Sequence, residues 1–200
     1  MAISNLAELK TAITDTAHRG DLSSYLDNLI LLGEKWIFRH VRSVEMETAF
    51  SEAIASGVVS VPTGFLGWKN VRIDGTPVTR LEVKAADWIY LRYPTRSPES
   101  VPKFIAREGS SFIFGPYPDS TYTVKGTYYT RPTSVLSSAT TFFTNNPDLY
   151  LFASLSELEA FKKDDKRVPL WQSKRDAIAA AVNGEDDVAE FSGPLTMAVG

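Results

Sequence analysis

The sequence predicts an α+β protein, in which a four-helix bundle of two N-terminal and two C-terminal helices carries an inserted β-rich module. Apolar residues recur at three- and four-residue steps up to residue 46 and again after residue 146, as in amphipathic helices. Between these regions, short β-branched and aromatic runs alternate with turn residues. We therefore assign residues 1–46 and 132–184 to a helical domain, 47–131 to the inserted module, and 185–200 to a flexible C-terminal tail.

The N-terminal region carries the signals of two consecutive helices. Asn5 suits an N-cap and Glu8 follows three residues later, as in a capping box, which predicts a helix over residues 5–19. Gly20 is expected to end this helix. Asp21 suits the N-cap of a second helix, whose apolar stripe continues to about Val44.

Hairpin and strand signals fill the middle of the chain. Asp74-Gly75 lies between the runs 65–73 and 78–83, which predicts a β-hairpin. Residues 121–131 alternate between two faces and give the clearest strand pattern of the chain. Further predicted elements are a strand over 58–61, one or two helical turns over 85–91, an irregular loop at 94–102, and a hairpin of 104–107 with 112–114.

Two helices are predicted near the C-terminus. Asn146 suits an N-cap and Pro147 a first helical position, so one helix is expected over residues 147–163. The other starts near Lys166, because Pro169 is tolerated only in a first turn, and Gly184 is expected to end it. The residues expected in the core of the helical domain are Leu26, Ile37, Leu155, Phe161, Trp171 and Ile178.

The composition narrows the possible chemistry. The 200 residues include no cysteine and two histidines, and the net charge is −3. Disulfides, thiolate nucleophiles and cysteine-ligated zinc are therefore excluded. The N-terminus lacks the pattern of a secretory signal, and no apolar run approaches the ~20 residues of a membrane span. We predict that the protein is not an enzyme and has no catalytic residue, metal site, cofactor or membrane partner.

The histidines and the paired carboxylates have structural explanations. His40 lies beside the apolar stripe of the second helix and is expected to be a satisfied histidine at the edge of the core, whereas His18 is expected to face solvent. The carboxylate pairs Asp164-Asp165 and Asp186-Asp187 lie beside predicted helix ends, where capping and solvation account for them.

Basic and aromatic residues in the inserted module leave two interpretations open. Charge combined with stacking is how proteins hold single-stranded nucleic acid, which makes a nucleic-acid-binding module one alternative. Tyrosines that alternate along strands more often pack or pair across a sheet. The residues concerned are Lys103, Arg107, Lys125 and Arg131, with Tyr117, Tyr122, Tyr128 and Tyr129.

The order and spacing of several short motifs resemble those of the head–tail adaptor (connector) proteins of tailed bacteriophages. The similarity extends over roughly residues 5–192, and the family is similar in layout to the podophage tail tubular protein A. The motifs are residues 6–13, His18-Arg-Gly-Asp-Leu22, Arg39-x-x-Arg42 followed by Val44-Glu-Met-Glu47, Val61-Pro-x-x-Phe-Leu66, residues 112–118 and 122–129, Asn146-Pro-Asp-Leu-Tyr-Leu151, and Lys163-Asp-Asp165.

The resemblance implies a structural virion protein, made in the bacterial cytoplasm and located at the head–tail interface. Its copies would form a ring, generally twelvefold, that binds the portal protein and offers a platform to the tail or nozzle protein. The ring would extend the channel through which double-stranded DNA passes during ejection, without sequence-specific binding. A head-completion or tail-terminator protein is the alternative within the virion.

Two parts of the chain are expected to make portal or subunit contacts. Arg39 and Arg42 fall at the end of the second predicted helix, where they either complement the helix dipole in a solvated last turn or contact another subunit. The C-terminal segment can gain order on a neighbouring subunit or on the portal. The contact residues expected in that segment are Asp187, Phe191, Pro194 and Leu195.

Overall fold

A computed structural model describes residues 3–95, 97–160 and 166–190, and confirms the α+β class. The chain divides into two compact units, one formed by the chain up to Met46 and from Pro132 onward, the other by Glu47–Arg131. The helices are α1 (Leu6–Ala17), α2 (Leu26–His40), α3 (Ala86–Arg92), α4 (Thr141–Asn145), α5 (Pro147–Ser156) and α6 (Val168–Glu190), with 3₁₀ turns at Val44–Met46 and Glu157–Ala160. The strands are β1 (Glu47–Ala53), β2 (Val58–Ser60), β3 (Phe65–Ile73), β4 (Thr79–Arg80), β5 (Glu82–Val83), β6 (Phe104–Glu108), β7 (Ser111–Gly115) and β8 (Thr123–Thr130).

In the helical unit, α5 lies against α1, α2 and α6, and the regular four-helix bundle predicted from the sequence is not evident. Helix α5 is apolar around most of its circumference, which suits an element with neighbours on several sides. Burial is confirmed for four of the six predicted core residues: Leu26, Ile37, Leu155 and Trp171.

The other two predicted core residues have different outcomes. Ile178 is half-buried, because the face of α6 that reaches the core passes through Ala179 and Val182 and leaves Ile178 at its margin. Phe161 lies outside the described residues, as do Asp164 and Asp165.

Gly33 allows α2 and α5 to approach closely. A Cβ at this position would lie 2.9 Å from the Ser154 backbone nitrogen and 3.0 Å from the Ala153 carbonyl carbon. Contacts this short displace backbone, so the helix pair requires glycine here although glycine lowers helix propensity.

Helix ends differ from prediction at several positions. The Asn5 cap is confirmed, since its side chain accepts a 3.0 Å hydrogen bond from the Glu8 nitrogen. Helix α1 ends three residues before Gly20, and His18 takes the left-handed cap conformation. Helix α2 covers a shorter range than predicted, because residues 21–25 form turns and Val41 is extended.

The predicted end of the last helix at Gly184 is wrong. Helix α6 continues through Gly184 to Glu190, so residues 185–190 are helical rather than part of a flexible tail. A single glycine costs a helix only about 1 kcal/mol relative to alanine, which the surrounding helical residues offset.

The β unit contains two four-stranded sheets, with strand orders β1-β8-β3-β4 and β2-β7-β6-β5. Strand pairs are antiparallel except β5 with β6. The predicted hairpin around Asp74-Gly75 is confirmed by the pairing of Ile73 with Thr79, and the hairpin of β6 with β7 is confirmed as well. Sequence patterns miss β1, an edge strand whose alanines and serine carry little β propensity.

The central part of the second sheet is buried on both faces. Ile105 and Phe112 point into a core shared with Phe50 and Tyr128 of the first sheet. The intervening residues Ala106 and Ile113 point the other way and pack against Ile89 of α3, together forming a second, smaller core cluster. The unit therefore has three layers, in which α3 covers the outer face of the second sheet.

Candidate interaction surfaces

Among the described residues of the helical unit, the buried ionisable side chains are Glu34 and Tyr150. Burial raises the pKa of Glu34, and burial together with the nearby Glu34 charge raises the pKa of Tyr150. Among the described residues, no group of three or more histidine, aspartate or glutamate side chains is placed to hold a metal ion.

Glu34 connects α2 to the segment that follows the β unit in the sequence. Its carboxylate accepts hydrogen bonds from the Val135 backbone nitrogen at 2.7 Å and from Ser134 Oγ at 2.6 Å. Both donors follow the β unit in the sequence, about 100 residues after Glu34. The contact holds the segment that leads into α4.

The C-terminal end of α2 is capped by side chains. Arg42 Nη1 donates to the carbonyl oxygens of Phe38 at 3.0 Å and Val41 at 2.6 Å. Asn183 on α6 accepts from the Arg42 backbone nitrogen at 2.8 Å and donates to the His40 carbonyl oxygen at 3.1 Å. The described contacts of Arg42 are those of a residue that caps its own helix.

Arg39 differs from Arg42 because its side chain is exposed. Beside it, Trp36 stacks on His40 with ring centroids 4.3 Å apart, and the Arg175 guanidinium lies 3.8 Å from the Trp36 ring centroid. The prediction that His40 lies at the edge of the core is wrong: His40 is exposed, and its Nδ1 is 2.8 Å from the Trp36 carbonyl oxygen. His18 is exposed as predicted.

Large apolar side chains on the outer side of α2 are exposed to solvent. Leu31 and Leu32 are each more than one third exposed, as is Tyr25 just before the helix. They precede Arg39 by two to four helical turns. An exposed stripe of apolar residues that ends in a cation is typical of a protein contact surface.

Comparison with protein families identifies the family of the chain. Residues 4–198 match the family described as SU10 adaptor protein, which covers both compact units. The chain belongs to the SU10 adaptor protein family. It is accordingly a structural adaptor protein of the phage virion, with partners among head and tail components. No curated protein matches the chain.

In this SU10 adaptor protein, the basic and aromatic residues of the β unit do not form one stacking surface. Lys125 lies 2.6 Å from Asp74 in an ion pair, and Tyr128 is buried in the core between the sheets. Tyr122 donates a 2.6 Å hydrogen bond to Asp119. Lys103 and Arg107 lie at and on β6, in the sheet opposite to that of Lys125.

The remaining predicted contact residues of this adaptor lie at its C-terminus. Asp187 falls within α6, but its side chain is outside the described set. Phe191, Pro194 and Leu195 also lie outside the described residues. No helix in the described part of the chain is long and apolar enough to cross a membrane.

Proposed function

We propose that twelve copies of this adaptor form a ring between the portal protein of the head and the tail or nozzle protein. The observation that carries the proposal is the family match over residues 4–198, which includes the helical unit and the β unit alike. The proposal includes a layout of this adaptor that is similar to that of the podophage tail tubular protein A.

Exposed apolar groups on both units support this proposal. The helical unit exposes Leu31 and Leu32, and the β unit exposes Trp88 and Leu91. A ring subunit needs two different sides that are complementary to each other, because head-to-tail contacts close into a ring when the rotation between subunits permits it. Apolar side chains surrounded by polar ones are suited to such sides.

The ring would extend the DNA channel of the head and guide DNA during ejection. The net charge of −3 favours a lumen that does not hold the DNA backbone, since tight binding to phosphates requires clustered lysine and arginine. The proposal predicts a neutral or acidic lumen in the assembled ring. A continuous lining of lysine and arginine around the channel would contradict it.

The C-terminal residues and Arg39 are the proposed contacts with the portal or a neighbouring subunit. The residues of interest at the C-terminus are Asp187, Phe191, Pro194 and Leu195. Deletion of residues 191–200 is expected to abolish attachment to portal particles, because it removes the apolar segment that is proposed to gain order on assembly and leaves α6 at its full length. Unchanged attachment of the deletion variant would assign the contact to other residues.

Electron microscopy of the purified protein mixed with portal complexes of the same phage tests the proposed function directly. We expect a ring of density attached to the portal, with the twelvefold symmetry of a connector. A sixfold ring attached to the tail end would instead identify a tail-terminator or head-completion protein. Absence of any ring on portal particles, with the protein folded, would overturn the proposal.

A further inference from the structure

An apolar cavity of about 290 Å³ opens at one side of the β unit, between its two sheets. Beyond Arg72 and Ile73, β3 has no pairing with β4, and β6 pairs with β5 only through Phe104 and Ile105. The sheets are therefore incomplete at this side, which leaves the space between them accessible. The residues that line the cavity include Phe65, Trp68, Ile105 and Phe112. Val83 and Arg107 also line it, and both are exposed.

The same unit carries an apolar side chain with no cover. Leu91, in the last turn of α3, is 84% exposed, the most exposed large apolar side chain in the described part of the chain. Asp87 lies four residues earlier, on the same side of the helix, and is also exposed. Leu91 thus forms an apolar projection with a carboxylate beside it.

Leu91 does not fill the cavity of its own copy, since it is not among the lining residues and is exposed. Helix α3 packs through Ile89 on the outer face of the second sheet, whereas the cavity faces the inner side of that sheet, where Ile105 and Phe112 point. An apolar projection and an apolar cavity on different faces of one molecule are complementary only between copies. Contacts of this kind join subunits head to tail.

We propose that Leu91 of one copy inserts into the cavity between the sheets of the next copy and that this contact joins neighbouring subunits. The inference rests on the proposed ring and identifies one of its subunit interfaces. The charges agree with this pairing, because Asp87 would approach the cavity beside Arg107. Arg107 is exposed, with its Nε 3.2 Å from the Gly109 carbonyl oxygen and its guanidinium carbon 5.9 Å from the Phe65 ring centroid.

Disulfide cross-linking tests the contact, because the natural chain has no cysteine. The double variant Leu91→Cys with Val83→Cys places one thiol on the projection and one beside the cavity. The control pairs Leu91→Cys with Val78→Cys, since Val78 is 58% and Val83 is 59% exposed. Both proteins are oxidised as concentrated solutions and after binding to portal particles, and then separated on denaturing gels without reductant.

The expected result is a ladder of covalent oligomers from the Val83→Cys pair that is at least tenfold stronger than from the Val78→Cys pair. Electron microscopy of the same particles reports separately whether a ring forms. A ring without the ladder overturns this interface and leaves the proposed function intact. A ladder without a ring supports the interface and overturns the ring. If neither the ladder nor the ring is observed, both this interface and the proposed function are overturned.

A charge exchange provides a second measurement that does not depend on cysteine chemistry. Asp87→Arg and Arg107→Asp, each alone, are expected to weaken self-association at least tenfold, as charge pairs at interfaces do when one partner is reversed. The combined variant is expected to recover most of the loss. If the combined variant associates no better than either single variant, with circular dichroism unchanged, the proposed pairing of these residues is wrong.

Discussion

Glu34 of α2 accepts a 2.7 Å hydrogen bond from the backbone nitrogen of Val135, a residue 101 positions later in the chain. The whole β unit lies between these two residues in the sequence. The carboxylate therefore binds the segment with which the chain re-enters the helical unit. Burial raises the pKa of Glu34 above its ordinary value of 4.5, in spite of the two hydrogen bonds that favour the charged form.

Glu34→Gln is expected to change how stability depends on pH. A carboxyl group with a raised folded-state pKa binds more protons in the folded state, so the wild-type protein loses stability relative to Glu34→Gln as pH rises from 4.5 through the folded pKa. Above that pKa the difference is constant. Urea unfolding of both proteins across this pH range measures the difference in their free energies of unfolding. If the wild type instead gains stability relative to Glu34→Gln as pH rises, hydrogen bonding to the carboxylate outweighs its desolvation.

Glu34→Ala is expected to destabilise the protein at every pH. Removal of the carboxylate leaves the Val135 N–H and the Ser134 hydroxyl without their acceptor, which costs about 1–3 kcal/mol for a buried donor. The same urea experiment measures this loss. A variant as stable as Glu34→Gln would mean that water replaces the carboxylate at no cost.

Gly33→Ala is expected to destabilise the helical unit by about 1–3 kcal/mol, because the added methyl group would collide with the α5 backbone. Gly184→Ala in α6 is the matched control: no atom lies within 4 Å of its Cβ position, so the gain in helix propensity should stabilise by about 0.5–1 kcal/mol. Chemical denaturation compares the two. Equal effects of the same sign would contradict close packing at Gly33.

Asn5→Ala is expected to lower stability by about 1 kcal/mol through loss of the cap on the Glu8 nitrogen. Asn5→Asp retains the acceptor and adds a charge that the helix N-terminus favours, so it should be at least as stable as the wild type. Thermal unfolding followed by circular dichroism distinguishes them. A similar loss in both variants would attribute the effect to something other than the cap.

Arg39→Ala and Arg42→Ala are expected to affect different properties, the first attachment to portal particles and the second the free energy of unfolding. Arg42→Ala removes hydrogen bonds to the Phe38 and Val41 carbonyls and should cost about 1 kcal/mol. Arg39→Ala should alter stability by less than about 0.5 kcal/mol, since the side chain is exposed, but reduce attachment to portal particles. Urea unfolding and co-sedimentation with portals measure the two quantities. Full attachment of Arg39→Ala would exclude Arg39 as a contact.

Local sequence determined those elements whose signals are complete within a few residues. The Asn5 cap, strand Phe65–Ile73 and the hairpin around Asp74-Gly75 depend on neighbouring residues alone, so patterns of capping, alternation and turn chemistry predict them. The absence of cysteine and the apolar character of α5 are likewise properties of the sequence.

Tertiary structure decided what depends on distant partners. Strand β1 has a weak pattern of its own and forms because β8 supplies its hydrogen bonds. The sequence pattern places Glu34 among the polar residues of a helix, whereas in the structure it is buried and accepts hydrogen bonds from Ser134 and Val135. His40 is exposed and stacks on Trp36. The cavity beside Arg107 arises from incomplete pairing at two sheet edges. Such features follow from long-range pairing, which local periodicity does not encode.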